Sequence, residues 1–311
     1  MDASNQRSHM IRATAHGKVN AMLGVGEAGD DGYHDLVTVF HALNVRETIA
    51  LTEADDPANP KVTVAGPYAS SSIPCDDRNL ARKAVSALAQ ATDTHVPVDI
   101  AIDKNVPVAG GMGGGSADAA AALVAYAAWI GLDDPQLLHD TAATLGADVP
   151  FALMGGTAIG TGRGDELATV MSDAQFHWVL ATSARELSTP KVYGRLDQMR
   201  AEGRAPGPTL DAEAAVAAFV SGDPHQLAEA LHNDLEAAAC DMLPELREVL
   251  KTGREAEALG GLVSGSGPTV AFLVEDDTHA LDLAVMLEAS TSVRNVVRTS
   301  GPAPGAHVVE D

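Results

Sequence analysis

The sequence predicts an α+β fold in two domains, and three observations carry that expectation. Segments rich in Val, Ile and Thr stand in a block at the start, before helical and strand-like segments begin to mix. The 311 residues are long for one hydrophobic core and suit two modest ones, divided here into 10–170 and 171–311. Apolar residues make up 46% of the chain but aromatics only 4%, so both cores must be built chiefly from Ala, Val and Leu.

Residues 11–25 and 36–53 read as strands by partial alternation, and 61–65 as a short third. Residues 77–90 place Leu80, Ala84, Val85 and Leu88 at helical spacing behind an acidic start. Residues 96–102 alternate again and lead into a glycine-rich loop. An alanine-rich helix beginning at Ser116 follows, and Gly131 is suited to end it. Asp134-Pro135 supplies an N-cap and a first-turn proline for a helix closed by Gly146. Residues 155–170 form a strand pair around the Gly160-Thr161-Gly162-Arg163-Gly164 turn. A strand at 176–182 opens the second domain, and helices follow at 190–201, 211–221, 224–239 and 244–259. Residues 262–274 are strand-like but interrupted by Ser264-Gly265-Ser266-Gly267-Pro268. A helix at 278–289 and a strand at 293–299 complete the series.

A net charge of −23 argues against nucleic acid and anionic membranes as partners. It also means that an anionic ligand needs a local island of positive charge, which gives weight to Lys18, Lys104, Arg163 and Lys191 beside glycines or loops. No apolar run reaches the roughly 20 residues of a membrane helix. The polar N-terminus does not read as a signal peptide, and Ser8-His9-Met10 resembles a cloning-vector remnant. Cys75 and Cys240 show no zinc spacing and suit a reducing cytoplasm.

The segment Pro107-Val108-Ala109-Gly110-Gly111-Met112-Gly113-Gly114-Gly115-Ser116-Ala117 is the candidate phosphate cradle. Glycines can turn N–H groups toward an anion at backbone angles other residues avoid, and a helix start adds free N–H groups and a positive dipole end. No Walker lysine motif occurs. A G-x-G-x-x-G does occur at residues 24–29, but Asp30-Asp31-Gly32-Tyr33-His34 follows it and not an apolar helix, so a dinucleotide reading lacks its context.

Three segments, in order, resemble the GHMP kinases: Gly17-Lys18-Val19-Asn20 after the first strand, the glycine loop, and Ser264-Gly265-Ser266-Gly267-Pro268-Thr269 late in the chain. Asp31-Gly32-Tyr33-His34-Asp35-Leu36, Gly146-Ala147-Asp148-Val149-Pro150-Phe151 and Thr189-Pro190-Lys191-Val192-Tyr193 are similar to segments of one branch of that family. That branch phosphorylates 4-(cytidine 5'-diphospho)-2-C-methyl-D-erythritol in non-mevalonate isoprenoid biosynthesis. His16-Gly17 departs from the branch, which usually has Pro before its small residue and Lys.

The resemblance implies a GHMP-kinase-like fold with the active site in the cleft between domains, ATP and Mg²⁺ as cofactors, and a small-molecule substrate, cytidine diphosphate methylerythritol. It implies that Asp148 is the base and Lys18 its catalytic partner, the ammonium stabilising the transferring phosphoryl group or nascent alkoxide. Asn79 and Lys104 lie around the nucleotide by the same resemblance. Tyr33 and Tyr193 are suited to sandwich a pyrimidine, with His34 at the base edge and Asn20 at the substrate hydroxyls. Thr189, Gly265, Ser266 and Gly267 complete the substrate set. Ser116 either contacts phosphate or Mg²⁺ or caps its helix; Asp118 either points away from the phosphates or meets them through a metal. Arg163 either meets an anion or pairs with Asp165 or Glu166. The competing readings are a GHMP kinase for another alcohol, such as mevalonate or homoserine, and a non-catalytic nucleotide-binding protein on the same fold.

Overall fold

The computed structural model describes residues 10–30, 32–108 and 110–309, so Ser8, His9, Asp31 and Ala109 lie outside the described residues. A long antiparallel hairpin of β1 (Met10–Ala28) and β2 (His34–Glu53) organises the molecule. Its register slips between His16 and Lys18, between Asn20 and Met22, and between Val25 and Ala28. Such irregularities bend a strand and re-aim its side chains. They let one strand serve three cores and present Lys18 and Asn20 to the site among them.

The chain continues through β3 (Val62–Ala65), α1 (Leu80–Ala91), β4 (Val98–Asp103), α2 (Gly114–Ile130), α3 (Pro135–Leu145) and α4 (Val149–Met154). Next come β5 (Thr157–Thr161), β6 (Glu166–Thr169), β7 (Phe176–Thr182), α5 (Thr189–Ala201) and α6 (Glu213–Ser221). The remainder is α7 (Pro224–Ala230), β8 (His232–Asn233), α8 (Glu236–Met242), α9 (Glu245–Glu255), β9 (Gly260–Val263), β10 (Val270–Val274), α10 (Asp277–Glu288), β11 (Asn295–Gly301) and β12 (His307–Val308). One sheet runs β12-β1-β2-β4-β3, with β5 and β6 continuing from β2 and β8 lying parallel to β1; the other runs β11-β7-β10-β9. This is the expected mixture of helices and sheets.

Capping chemistry sets several boundaries. The Asn79 side chain accepts from the N–H groups of Ala81 and Arg82, and Asp134 accepts from Leu137 N–H, with Pro135 behind it. Gly131 ends α2 in the left-handed region. The start of α2 differs from expectation: it begins at Gly114, because Gly113 turns left-handed at φ +67° and lets the helix start earlier. Ser116 is therefore inside the first turn and is not the N-cap.

The single helix expected over 224–239 is two helices with β8 between them. Asn233 donates to the carbonyls of Val263 (2.6 Å) and Gly265 (2.8 Å). Asp234 accepts from the N–H groups of Val25 (2.8 Å) and Thr209 (3.1 Å) and from the Arg200 guanidinium (3.0 Å). Buried at the β1 edge, these side chains hold the backbone in strand pairing and override the helical spacing around them.

Ala13, Ala15, Ile49 and Leu51 of the hairpin pack with α1, α2 and α3 in one hydrophobic core. Leu23 and Val25 of the same β1 enter the core beneath the second sheet, and Val19 and Met22 join Trp178 and Leu180 on that sheet's other face. The alanine-rich character of α2 has a purpose here. Ala117 and residues 119–122 are buried, which lets the helix sit close against the hairpin.

Candidate active site

Three adjoining cavities line the cleft. The first, about 400 Å³, lies under the glycine loop; Asn79, Lys104, Pro107, Val108, Ser116 and residues 110–115 form its walls. The N-terminus of α2 points into this loop, so free N–H groups and the positive dipole end favour an anion there. Ala117 lies deeper in the helix and packs into the core, away from the cavity.

The loop is held by glycine geometry. Gly111 has φ +73°, and a Cβ there would collide with the carbonyl of Ser264. The Ser264 hydroxyl donates to the Gly111 carbonyl at 3.2 Å, joining the two glycine motifs. Gly265, at φ +56°, comes close to Asn20, whereas Gly267 turns its backbone toward Val263 and lies behind the motif.

The second cavity, about 350 Å³, contains Lys18, Asn20, Asp148, Thr189, Tyr193, Gly265 and Ser266. The buried Lys18 ammonium donates to Asn20 Oδ1 (2.6 Å) and to the Gly111 carbonyl (3.1 Å), and lies 3.3 Å from Asp148 Oδ2. It also stands 5.4 Å over the Phe40 ring. Asn20 is oriented in turn by donating to Thr38 Oγ1 at 2.9 Å. Asp148 occupies the position before α4 yet makes no side-chain cap bond, and its side chain is 35% exposed. Its carboxylate faces Lys18 and open space, the arrangement a proton acceptor needs. The His16-Gly17 departure leaves this lysine in place: Lys18 N–H donates to the Met112 carbonyl at 3.0 Å.

The third cavity, about 720 Å³, is walled by Tyr33, His34, Thr189, Tyr193, Arg163 and Asp197 among others. Tyr33 is 56% exposed, whereas Tyr193 lies deeper, and burial followed by the charge of Asp148 pushes its phenol up. The His34 and Tyr193 rings are 5.1 Å apart, and His34 Nε2 lies 2.9 Å from Asp197 Oδ1. The Arg163 guanidinium sits 3.8 Å over the Tyr33 ring, a contact neither of its two expected alternatives contained. Thr189 and Ser266 share a hydroxyl–hydroxyl hydrogen bond of 2.8 Å.

A buried charge cluster lies behind the loop. Lys104 Nζ is 2.7 Å from Glu47 Oε1 and 2.6 Å from Asp118 Oδ2. Burial, reinforced by Asp118 and opposed by Lys104, pushes the Glu47 carboxyl up to about 7. Glu47 also accepts from the N–H groups of Asn105 (2.8 Å) and Val106 (3.2 Å), tying the loop's approach to β2. Nothing in the sequence pattern singled out Glu47 or Asp197. Their signal is tertiary, since each answers a cation or imidazole from a distant segment.

Residues 79–156 match the model of the GHMP kinases N terminal domain, and residues 215–290 that of the GHMP kinases C terminal domain. The chain is 50% identical over 295 residues to 4-diphosphocytidyl-2-C-methyl-D-erythritol kinase of Mycolicibacterium smegmatis, covering 94% of this chain and 90% of the relative. It is 49% identical to the same kinase of Corynebacterium diphtheriae, covering 97% and 98%. A crystal structure of 4-(cytidine 5'-diphospho)-2C-methyl-D-erythritol kinase superposes with a TM-score of 0.74 at 32% identity, over 94% of this chain and all of that one. Homoserine kinase from Cytophaga hutchinsonii shares the fold, with a TM-score of 0.75 at 18% identity over 99% of this chain and all of that one. The chain therefore belongs to the GHMP kinases, in the group formed by the 4-diphosphocytidyl-2-C-methyl-D-erythritol kinases.

Proposed function

We propose that this chain transfers the γ-phosphoryl group of ATP to the 2-hydroxyl of 4-(cytidine 5'-diphospho)-2-C-methyl-D-erythritol, in the non-mevalonate supply of isoprenoid precursors. The observation that carries this is the order of the cavities. The Lys18–Asp148 pair lies between a glycine-loop cavity and an aromatic one, and each neighbour shares walls with the middle cavity. That order suits a phosphate donor, a reacting alcohol and a nucleobase held in line.

In this reading Asp148 accepts the hydroxyl proton as the oxygen attacks phosphorus, and Lys18 offsets the charge that develops beside Gly111. The glycine-loop N–H groups hold the donor phosphates, with Asn79 and Lys104 around the nucleotide. Tyr33 and Tyr193 bracket the cytosine, His34 reads its edge, and Asn20, Thr189, Gly265 and Ser266 line the path of the rest of the substrate. Tyr33 and His34 favour this substrate over mevalonate or homoserine, which offer no base to stack.

The residues under the loop fit Mg²⁺. Asp118 Oδ1 is buried with no hydrogen-bond partner, and Ser116 lines the same cavity. These two would hold the ion, which when bound neutralises phosphate charge. The two domains are taken as 10–170 and 171–311, with one family model falling in each. A cytoplasmic location agrees with free Cys75 and Cys240, and among the described residues no helix is long and apolar enough to cross a membrane.

A coupled ADP-release assay across alcohols with and without a cytidine diphosphate group tests the proposal. Turnover is expected only with the cytidine-linked methylerythritol; equal turnover of mevalonate or homoserine overturns it.

A further inference from the structure

Helix α4 is six residues long, far below the length at which an isolated helix holds itself in water. Asp148 stands before it and gives it no side-chain cap bond. The position of the Asp148 carboxylate therefore depends on what grips α4 elsewhere. Val149 and Ala152 are gripped by the first core. A second grip comes from residues 302–309, which follow β11 and return to α4 and the β1–β2 hairpin.

This segment is bonded to the supports of both Asp148 and Lys18. Ala306 N–H donates to the carbonyls of Ala152 (3.1 Å) and Leu153 (3.2 Å) in α4, and Gly156 N–H donates to the Ala303 carbonyl at 2.8 Å. Gly305 passes so near that a Cβ there would collide with the Leu153 carbonyl. On the lysine side, Ala303 N–H donates to the Ala42 carbonyl at 3.0 Å, and Ala42 is the residue facing Lys18 across the hairpin. Ala303, itself buried, shares a small core with Phe40, Ala42, Phe151 and Ala158. Phe40 is the ring beneath the Lys18 ammonium, and Phe151 of α4 stacks on it with centroids 4.8 Å apart. Farther along, β12 pairs with β1 at Ala13 and Thr14, and the His307 ring stacks on His16 with centroids 6.3 Å apart. His16, where the sequence departs from the related branch, lies just ahead of Lys18 on the same strand.

We propose that residues 302–309 are a strap that sets the separation of Lys18 and Asp148. The segment walls none of the three cavities, so its part in phosphoryl transfer is positioning. The inference rests on the catalytic reading of that pair. Lysine and aspartate come from distant segments, and the strap is hydrogen-bonded to the backbone behind each. Displacing it moves one against the other, and a misplacement of about 1 Å costs on the order of 10²-fold in rate.

Two variants test this. Gly305→Ala wedges the strap off α4 without altering a cavity wall, and His307→Ala removes an exposed ring to loosen its far end. Each is followed by steady-state kinetics, thermal melting and amide hydrogen exchange, with Asp148→Asn beside them. Gly305→Ala is expected to lower kcat about tenfold or more, leave KM for ATP within about twofold, and speed exchange across 149–156. His307→Ala should move kcat and exchange in the same direction by less, and it decides alone if Gly305→Ala does not fold. A lowered melting temperature with kcat per folded enzyme unchanged would make the segment a brace and overturn the proposal. A lowered kcat with exchange across 149–156 unchanged also overturns it, because the strap would not be acting through α4. A kcat for Asp148→Asn near that of wild type would instead overturn the reading of the pair.

Discussion

The ammonium of Lys18 lies 3.3 Å from the carboxylate of Asp148, a pair assembled from the first strand and the turn before α4. Because Asp148 makes no cap bond, its side chain can be changed without unpinning the helix behind it. Asp148→Asn keeps the shape and removes the proposed proton acceptor. The expected result is a kcat reduced on the order of 10²–10⁴-fold with ATP affinity nearly unchanged. A kcat within about tenfold of wild type would mean that the base is another group.

Gly111→Ala tests the joint between the two glycine motifs. The new Cβ meets the Ser264 carbonyl at a backbone angle that alanine avoids. The loop must shift, and the Gly111 carbonyl then releases both Lys18 and Ser264. We expect both a raised KM for ATP and a lowered kcat, the variant remaining folded. An effect on stability alone would show that the joint is scaffolding.

Asp197 sets the proton on His34. A carboxylate can only accept, so in the neutral ring Nε2 carries the hydrogen and Nδ1 is the acceptor. Asp197→Asn removes that bias. Preference for CDP over UDP, measured by competitive binding, should fall several-fold, while binding of ATP is untouched. An unchanged preference would show that the base edge is read elsewhere.

Glu47 gives a pH signature. Its folded-state carboxyl is raised to about 7 from 4.5, so the folded protein binds the extra proton between those values. Stability from this group is present at low pH and is lost as pH rises through about 7. His41, buried and held down to about 3 by desolvation, acts in the opposite sense, losing stability as pH falls below its ordinary value. The difference between wild type and Glu47→Gln isolates the carboxylate. Denaturant titrations from pH 5 to pH 8 should show wild type losing about 1–3 kcal/mol relative to the variant. A pH-independent difference would contradict the raised value.

Much of this site was legible as sequence because glycines, caps and short motifs act locally. The caps at Asp134 and Gly131 owe their form to neighbours in the chain, and the loop from Pro107 and the Lys18 and Asp148 segments stand out as short motifs. What was illegible depends on partners far away. The helix expected over 224–239 breaks because Asn233 and Asp234 answer Val263, Gly265 and Val25. An adjacent Asn-Asp inside a helical pattern was the available warning, since both side chains compete for backbone groups. The Arg163–Tyr33 stack and the Glu47–Lys104–Asp118 cluster carried no such local mark.

The β1–β2 hairpin, whose side chains enter each of the three larger cores, bears on how the molecule comes apart. Neither half owns its own wall. Cutting the chain near residue 170 would leave the C-terminal piece without Leu23, Val25, Val19 and Met22, so it would be an exposed sheet lacking a floor. Heat or denaturant should therefore meet a single cooperative body, and the Lys18–Asp148 pair, seated midway along that shared beam, should be lost only when everything is.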